Sequence, residues 1–226
     1  SSDLARAALA VVARSERDKG RLLAGDGVPG LFGLAMGKHG ARELNYSSDI
    51  DISLFYEPEA LTLAPGVEAQ AFVNRCAQGL VNILQDRTVE GYVFRVDLRL
   101  RPDPAATPPV VSAPAALHYY ETVGQNWERA AFIKARPVIG DLQLGAGFLK
   151  ALEPFVWRRS LDYAAIADVH SIKRQIHVHR ADERLEAAGA NLKLGAGGIR
   201  EIEFFVQTQQ LILGGRDRRL RSNRKI

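Results

Sequence analysis

Asn45-Tyr46-Ser47-Ser48-Asp49-Ile50-Asp51-Ile52-Ser53-Leu54-Phe55-Tyr56 sets two carboxylates one residue apart, just after a Ser-Ser turn and at the head of an apolar run. Residues i and i+2 of a strand point to the same face, roughly 7 Å apart. Asp49 and Asp51 therefore converge on one side while Ile50, Ile52 and Leu54 face a core. Hard oxygen ligands in this arrangement suit magnesium. Asp-x-Asp by itself also occurs in ordinary turns, because Asp favours them.

Downstream, Tyr92-Val93-Phe94-Arg95-Val96-Asp97-Leu98-Arg99-Leu100-Arg101-Pro102 alternates strictly and reads as a second strand. Arg95, Asp97, Arg99 and Arg101 share one face, with Val96, Leu98 and Leu100 on the other. A solvated edge strand alternates in the same way. Three arginines around one acid also form an anion-binding face, in which Asp97 is a third metal ligand and Arg99 or Arg101 offsets phosphate charge. Three carboxylates on neighbouring strands suit two magnesium ions about 3.5–4 Å apart, the arrangement that supports in-line displacement at phosphorus.

Upstream, Gly33-Leu34-Ala35-Met36-Gly37-Lys38-His39-Gly40 runs from an apolar segment into a glycine-bounded basic turn. It is no Walker A motif, since the Gly-x-x-x-x-Gly-Lys-Ser/Thr spacing is absent. Gly37 lets backbone amides approach a phosphate and Lys38 supplies charge; with Ser47 and Ser48 they form a candidate phosphate cradle. An ordinary loop is the competing reading.

These segments, together with Arg42-Glu43-Leu44-Asn45, Trp127-Glu128-Arg129-Ala130-Ala131-Phe132-Ile133-Lys134-Ala135-Arg136-Pro137 and Asn191-Leu192-Lys193-Leu194-Gly195-Ala196-Gly197-Gly198-Ile199-Arg200-Glu201-Ile202-Glu203-Phe204, resemble the bacterial glutamine synthetase adenylyltransferase/adenylyl-removing enzymes. The resemblance runs from about Gly33 to Leu213. It implies an α+β fold, a DNA polymerase β-type nucleotidyltransferase domain with a small mixed sheet, followed by a helical bundle. Such enzymes carry two homologous domains: one removes AMP from a glutamine synthetase tyrosine by phosphorolysis, releasing ADP, and the other attaches AMP from ATP. The Lys193 to Glu203 stretch resembles the removing domain, because the attaching domain tends to carry an acid before the paired glycines and no Arg-Glu pair after them. His39 departs from the family, which usually has leucine there. The resemblance makes Lys134 and Arg136 candidates for phosphate or nucleotide contact. It also implies regulation by glutamine and by the PII signalling protein through the full-length chain.

Glu201 and Glu203 fall in the first turn of a helix that follows a glycine-rich start. The helix dipole alone explains acids there. The sharper reading has one of them facing the cleft and positioning a metal-bound water, or the substrate phosphate through Lys193 or Arg200. His177 and His179 stand two apart on a helical stretch and so are poor co-ligands for a metal.

Elsewhere the pattern predicts helices over Asp3 to Leu23, Val67 to Leu84, Ala115 to Gly124, Asn126 to Arg136, Leu161 to Ala188 (one long helix or two joined ones) and from Gly198 to Leu213, with strands at Leu31 to Ala35 and Ile50 to Tyr56. Proline-rich Asp103 to Pro114 reads as a loop able to move over the site. The expected organisation is an N-terminal helix over 1–24, a catalytic domain over 25–142 and a helical domain over 143–226.

The 226 residues are 46% hydrophobic and 25% charged, ordinary for a globular protein. A net charge of +4 suits an anionic ligand without demanding nucleic acid. Cys76, the only cysteine, can form no intrachain disulfide, and a reducing cytoplasm is the simplest setting. No run of about 18 apolar residues exists to span a membrane. The chain starts at Ser1 and stops in a basic stretch without a helix stop, as a piece of a longer protein does.

Overall fold

Every residue of β1 (Leu31–Ala35) is buried, as is every residue of β2 (Ile50–Tyr56) except Asp51. Such near-continuous apolar runs belong to strands covered on both faces. In this computed structural model, which describes residues 1–23, 25, 27–159 and 198–222, β1 and β2 pair antiparallel with Leu31 opposite Tyr56 and Ala35 opposite Ile52. The mixed sheet follows the order β3-β2-β1-β5, with β3 (Val96–Asp97) and β4 (Val110–Ser112) both parallel to β2, and β5 (Arg136–Gly140) antiparallel to β1.

The alternation of β1 and β2 assigns the two faces. Leu31, Ala35, Ile50, Ile52, Leu54 and Tyr56 join the core made with α1 (Ser2–Asp18) and α3 (Ala69–Gln85), through Leu9, Val12, Phe72, Cys76 and Leu80. Phe32 and Phe55 point the other way and meet Phe148 of α6 (Leu142–Ala151), their ring centres 4.6–5.7 Å apart. Asp51 shares the Phe55 side, since both are odd positions of β2. Burying these side chains, each worth about 1.5–3 kcal/mol, fixes which way the odd positions face.

The first unit comprises Ser1–Gly124 and Lys134–Glu153 and holds the whole sheet; it also contains the short helix α2 (Gly37–Ala41) and α4 (Ala113–Thr122). The second comprises Gln125–Ile133 and Pro154–Ser222, and includes α5 (Asn126–Phe132), most of α7 (Glu153–Val156) and α8 (Ile199–Leu213). Its described elements contain no strand. There Arg129, wholly buried, donates to the carbonyls of Phe155 and Val156 and to Asn126 Oδ1. Those bonds cap the end of α7. The expected helix over Leu161 to Ala188 and the His177/His179 pair lie outside the described residues.

Several expectations are corrected: the Asp103 to Pro114 stretch, read as a loop, holds β4 and the first residues of α4, and the first helix ends at Asp18 rather than Leu23. The strand anticipated over Tyr92 to Arg101 shrinks to Val96–Asp97. Val93 and Phe94 both donate to Leu84 O at the end of α3, and Thr88 and Gly91 close a tight turn, so the chain reaches the sheet only at Arg95. Past Leu98, the Arg101 guanidinium gathers the carbonyls of Leu98, Pro104 and Thr107, curling the chain out of the sheet. The helix anticipated over Asn126 to Arg136 stops at Phe132, and Arg136 opens β5. Pro137 lies inside that strand, tolerated because β5 is an edge and the ladder with β1 slips beside it, between Gly33 and Leu34.

Candidate active site

Asp51 stands opposite Asp97 in the parallel register of β2 and β3, with Ile50 opposite Val96. Adjacent strands run about 4.8 Å apart, so the two carboxylates start from neighbouring backbone positions. Asp49 precedes Asp51 by two residues. Ile50 N donates to Arg95 O and Met36 N to Asp51 O, both at 2.9 Å, tying the acids to β3 on one side and to the end of β1 on the other.

Each outer acid holds an arginine. Arg95 Nε lies 2.5 Å from Asp49 Oδ1, while its other nitrogens donate to Ser47 O at 2.6 Å and to Tyr92 Oη at 2.8 Å. Arg99 wraps back on Asp97, donating from Nε to both carboxylate oxygens at 3.0 Å and from its backbone amide at 2.8 Å. Hydrogen bonds from Arg99 hold the Asp97 carboxyl below its usual range against the opposing effect of burial. Reciprocally, Asp49 raises Arg95 and Asp97 raises Arg99.

Gly37 opens α2 at φ +50°, and a Cβ there would stand 2.7 Å from Asp51 Oδ2. Only glycine leaves that carboxylate in place. Behind the turn, Arg136 donates to Gly40 O at 2.9 Å, to His39 O at 3.1 Å and to Ser2 Oγ at 3.2 Å. Arg136 is thus a staple on the carbonyl end of α2. His39 is 1% exposed, with Nε2 3.3 Å from Ser2 Oγ. Burial, and then the Arg136 charge, push it down to about 4. Lys134, 9% exposed, lies 3.8 Å from Glu43.

The strands and the α2 turn therefore bring together Asp49, Asp51, Asp97, Arg99, Gly37 and Ser47 in the first unit, with Lys38 and Ser48 next to them in sequence. Arg101 is turned into the 98–107 loop, where burial lowers its pKa. Glu201 and Glu203 lie in the second unit, near the start of α8; Lys193 lies outside the described residues. Arg95, with its triple contact to Ser47, Asp49 and Tyr92, is the residue the sequence signalled least: alternation put it on the right face but gave it no partner.

Among the described residues, no three acidic, histidine or cysteine side chains are drawn together as a metal group. Asp49 and Asp97 are directed at their arginines instead. The donor chemistry still fits magnesium: three carboxylates from adjacent positions, an all-oxygen set, and a glycine that keeps space beside Asp51. The residues that could hold it are Asp49, Asp51 and Asp97, with Arg95 and Arg99 released to an anion.

A family model described as glutamate-ammonia ligase adenylyltransferase matches residues 4–151. The chain belongs to that family. A model described as GlnD PII-uridylyltransferase matches residues 170–224, a span that includes α8. Over 225 residues the chain is 64% identical to the bifunctional glutamine synthetase adenylyltransferase/adenylyl-removing enzyme of Caulobacter vibrioides, covering 97% of this chain and 23% of that protein. It is 57% identical to the namesake from Xanthobacter autotrophicus, over 98% of this chain and 23% of that protein. The Mesorhizobium japonicum protein of the same name is 60% identical over 193 residues, 85% of this chain and 20% of its own length. The chain thus spans less than a quarter of the curated relatives it matches. Within the family match lie all three aspartates, α2 and β5. No helix among the described residues is long and apolar enough to cross a membrane.

Proposed function

We propose that this chain is the adenylyl-removing domain of its family, taking AMP from an adenylylated tyrosine of glutamine synthetase by phosphorolysis. The single observation that carries the reading is the opposition of Asp51 to Asp97, with Asp49 beside them, in a chain of this family. The direction rests on the Lys193 to Glu203 sequence, with its Arg200-Glu201 pair.

Asp49, Asp51 and Asp97 hold magnesium in this reading; when bound, it supplies positive charge to the phosphoryl oxygens and to the departing tyrosine oxygen. An oxygen of inorganic phosphate forms a bond to the phosphorus of the AMP-tyrosine diester. The bond from phosphorus to the tyrosine oxygen breaks, that oxygen takes up a proton, and ADP leaves. Phosphate is already anionic at neutral pH, so positioning and charge neutralisation matter more than a strong base. Gly37, Lys38, Ser47 and Ser48 cradle phosphate oxygens. Arg95 and Arg99, released from their aspartates, meet the same charge. Lys134 and Arg136 act from behind: Arg136 fixes α2, and with it the Gly37 turn. PII and glutamine act through the longer protein of which this chain is a part.

The test incubates the chain with adenylylated glutamine synthetase, magnesium and phosphate, and follows ADP release beside loss of AMP from the tyrosine. Phosphate-dependent ADP that disappears in Asp97→Asn supports removal. AMP transfer from ATP to unmodified synthetase, without ADP release from the adenylylated form, assigns the attaching reaction instead.

A further inference from the structure

Along β3, next to the carboxylates, runs a cleft of about 670 Å³, formed wholly within the first unit. That size falls in the ordinary range of small-molecule sites. Its wall carries Asp49, Asp97 and their arginines and, from the end of α3 and the turn after it, Gln85, Arg87 and Tyr92. Gln85 and Arg87 have no part in the phosphoryl-transfer machinery described above, and Tyr92 touches it only through Arg95, which donates to its Oη.

Their states differ from those of the neighbouring groups. Arg95 and Arg99 are each neutralised by an aspartate. Arg87 makes no hydrogen bond or ion pair among the described residues; its guanidinium lies 6.0 Å from the centre of the Tyr92 ring, as does that of Arg95. Arg87 is therefore the uncompensated cation of the cleft. Tyr92 is 41% exposed. Gln85 accepts from Val96 N at 3.4 Å through Oε1, and among the described residues its Nε2 has no partner. A carboxamide with a free donor and a second acceptor lone pair matches the adenine edge, which offers an acceptor nitrogen beside a donor amine.

We propose that this part of the cleft wall recognises the adenine of the transferred nucleotide. Gln85 pairs with the base edge, Tyr92 stacks on one of its faces in place of a guanidinium, and the phosphates extend toward Arg95, Arg99 and the carboxylates. Stacking of bases on aromatic and guanidinium planes is worth roughly a tenfold or greater gain in affinity per contact. The choice of adenine rests on the proposed function; the existence of a stacking and carboxamide wall does not.

The experiment titrates the chain calorimetrically, in magnesium, with ADP, GDP and inorganic pyrophosphate, for the parent and for Gln85→Leu, Tyr92→Leu and Arg87→Ala. All three positions are exposed, so the fold survives, and circular dichroism checks it. Gln85→Leu and Tyr92→Leu are expected to weaken ADP by about tenfold while pyrophosphate binding stays unchanged. Gln85→Leu also removes the preference for ADP over GDP. Unchanged ADP affinity in both variants, equal loss of ADP and pyrophosphate, or no ADP binding by the parent overturns the proposal. Because binding is read without turnover, the two readings separate. ADP recognition through Gln85 and Tyr92 without any AMP removal keeps this inference and sinks the assigned direction. Normal AMP removal with parental affinity in the variants does the reverse.

Discussion

Asp51 and Asp97 face each other across two parallel strands, and Arg99 neutralises Asp97 from its outer side. Two carboxylates at paired positions need either a cation between them or partners on their outer sides. Replacing either by asparagine keeps the shape and removes the charge. Asp51→Asn and Asp97→Asn are each expected to lower AMP transfer by at least about a hundredfold, as loss of a charge-stabilising group does. Magnesium affinity, measured by calorimetry, should fall in both while the thermal midpoint moves little.

Gly37 carries the closest constraint on Asp51. An alanine there must adopt φ +50° and place Cβ 2.7 Å from Asp51 Oδ2. The conformational cost is about 1–2 kcal/mol, and the displaced carboxylate costs activity. Gly37→Ala is expected to lose most AMP transfer with only a small fall in melting temperature; parental activity would show that Asp51 does not need its observed position.

Arg136 serves the α2 turn through two carbonyls and the Ser2 hydroxyl. Arg136→Met keeps the volume and leaves those carbonyls without their donor, a loss of about 1–3 kcal/mol. Denaturant unfolding should record it. If Arg136 instead touches phosphate directly, the variant will weaken phosphate binding with stability intact.

His39 makes stability depend on pH. The unfolded chain binds a proton at this residue near its ordinary value of 6.5, whereas the folded chain holds it neutral down to about 4. Between those values the unfolded state carries more protons, so folding stability falls as pH is lowered, by up to about 1.4 kcal/mol per unit. Below about 4 the loss is complete. His39→Leu should flatten this part of the curve: the stability difference between variant and parent at pH 5 will exceed that at pH 7. Parallel curves would mean that His39 titrates normally in the fold.

The strands β1 and β2 were legible to the residue because their apolar runs are longer than any turn and lie between clear breakers, Gly30 before β1 and the Ser47-Ser48 turn before β2. The same logic misread Tyr92 to Arg101. Alternation is a property of any chain laid along a wet edge, whether or not its amides join a ladder, and here the end of α3 takes two of those amides. It misread Arg136 too: helix-like composition continued past Phe132, but β1 had an open edge that residues 136–140 could pair with. Arg95 and Arg99 sat beside the aspartates, whereas Arg101 turned into its own loop and Arg136 onto α2. Their partners could not be read, because an arginine reaches several acids and only backbone placement chooses among them.

The sequence by itself determined the three aspartates, the face that Asp49 and Asp51 share, the glycine turn and the family, since these depend on residue identity and on periods of two or a few residues. Only the tertiary structure decided that Asp51 opposes Asp97, that Arg95 closes on Asp49, that Arg136 serves α2, and that Gln85, Arg87 and Tyr92 border one cleft. Those relations join residues tens of positions apart. They follow from strand register and from the end of α3 meeting the β3 edge, which no local pattern encodes.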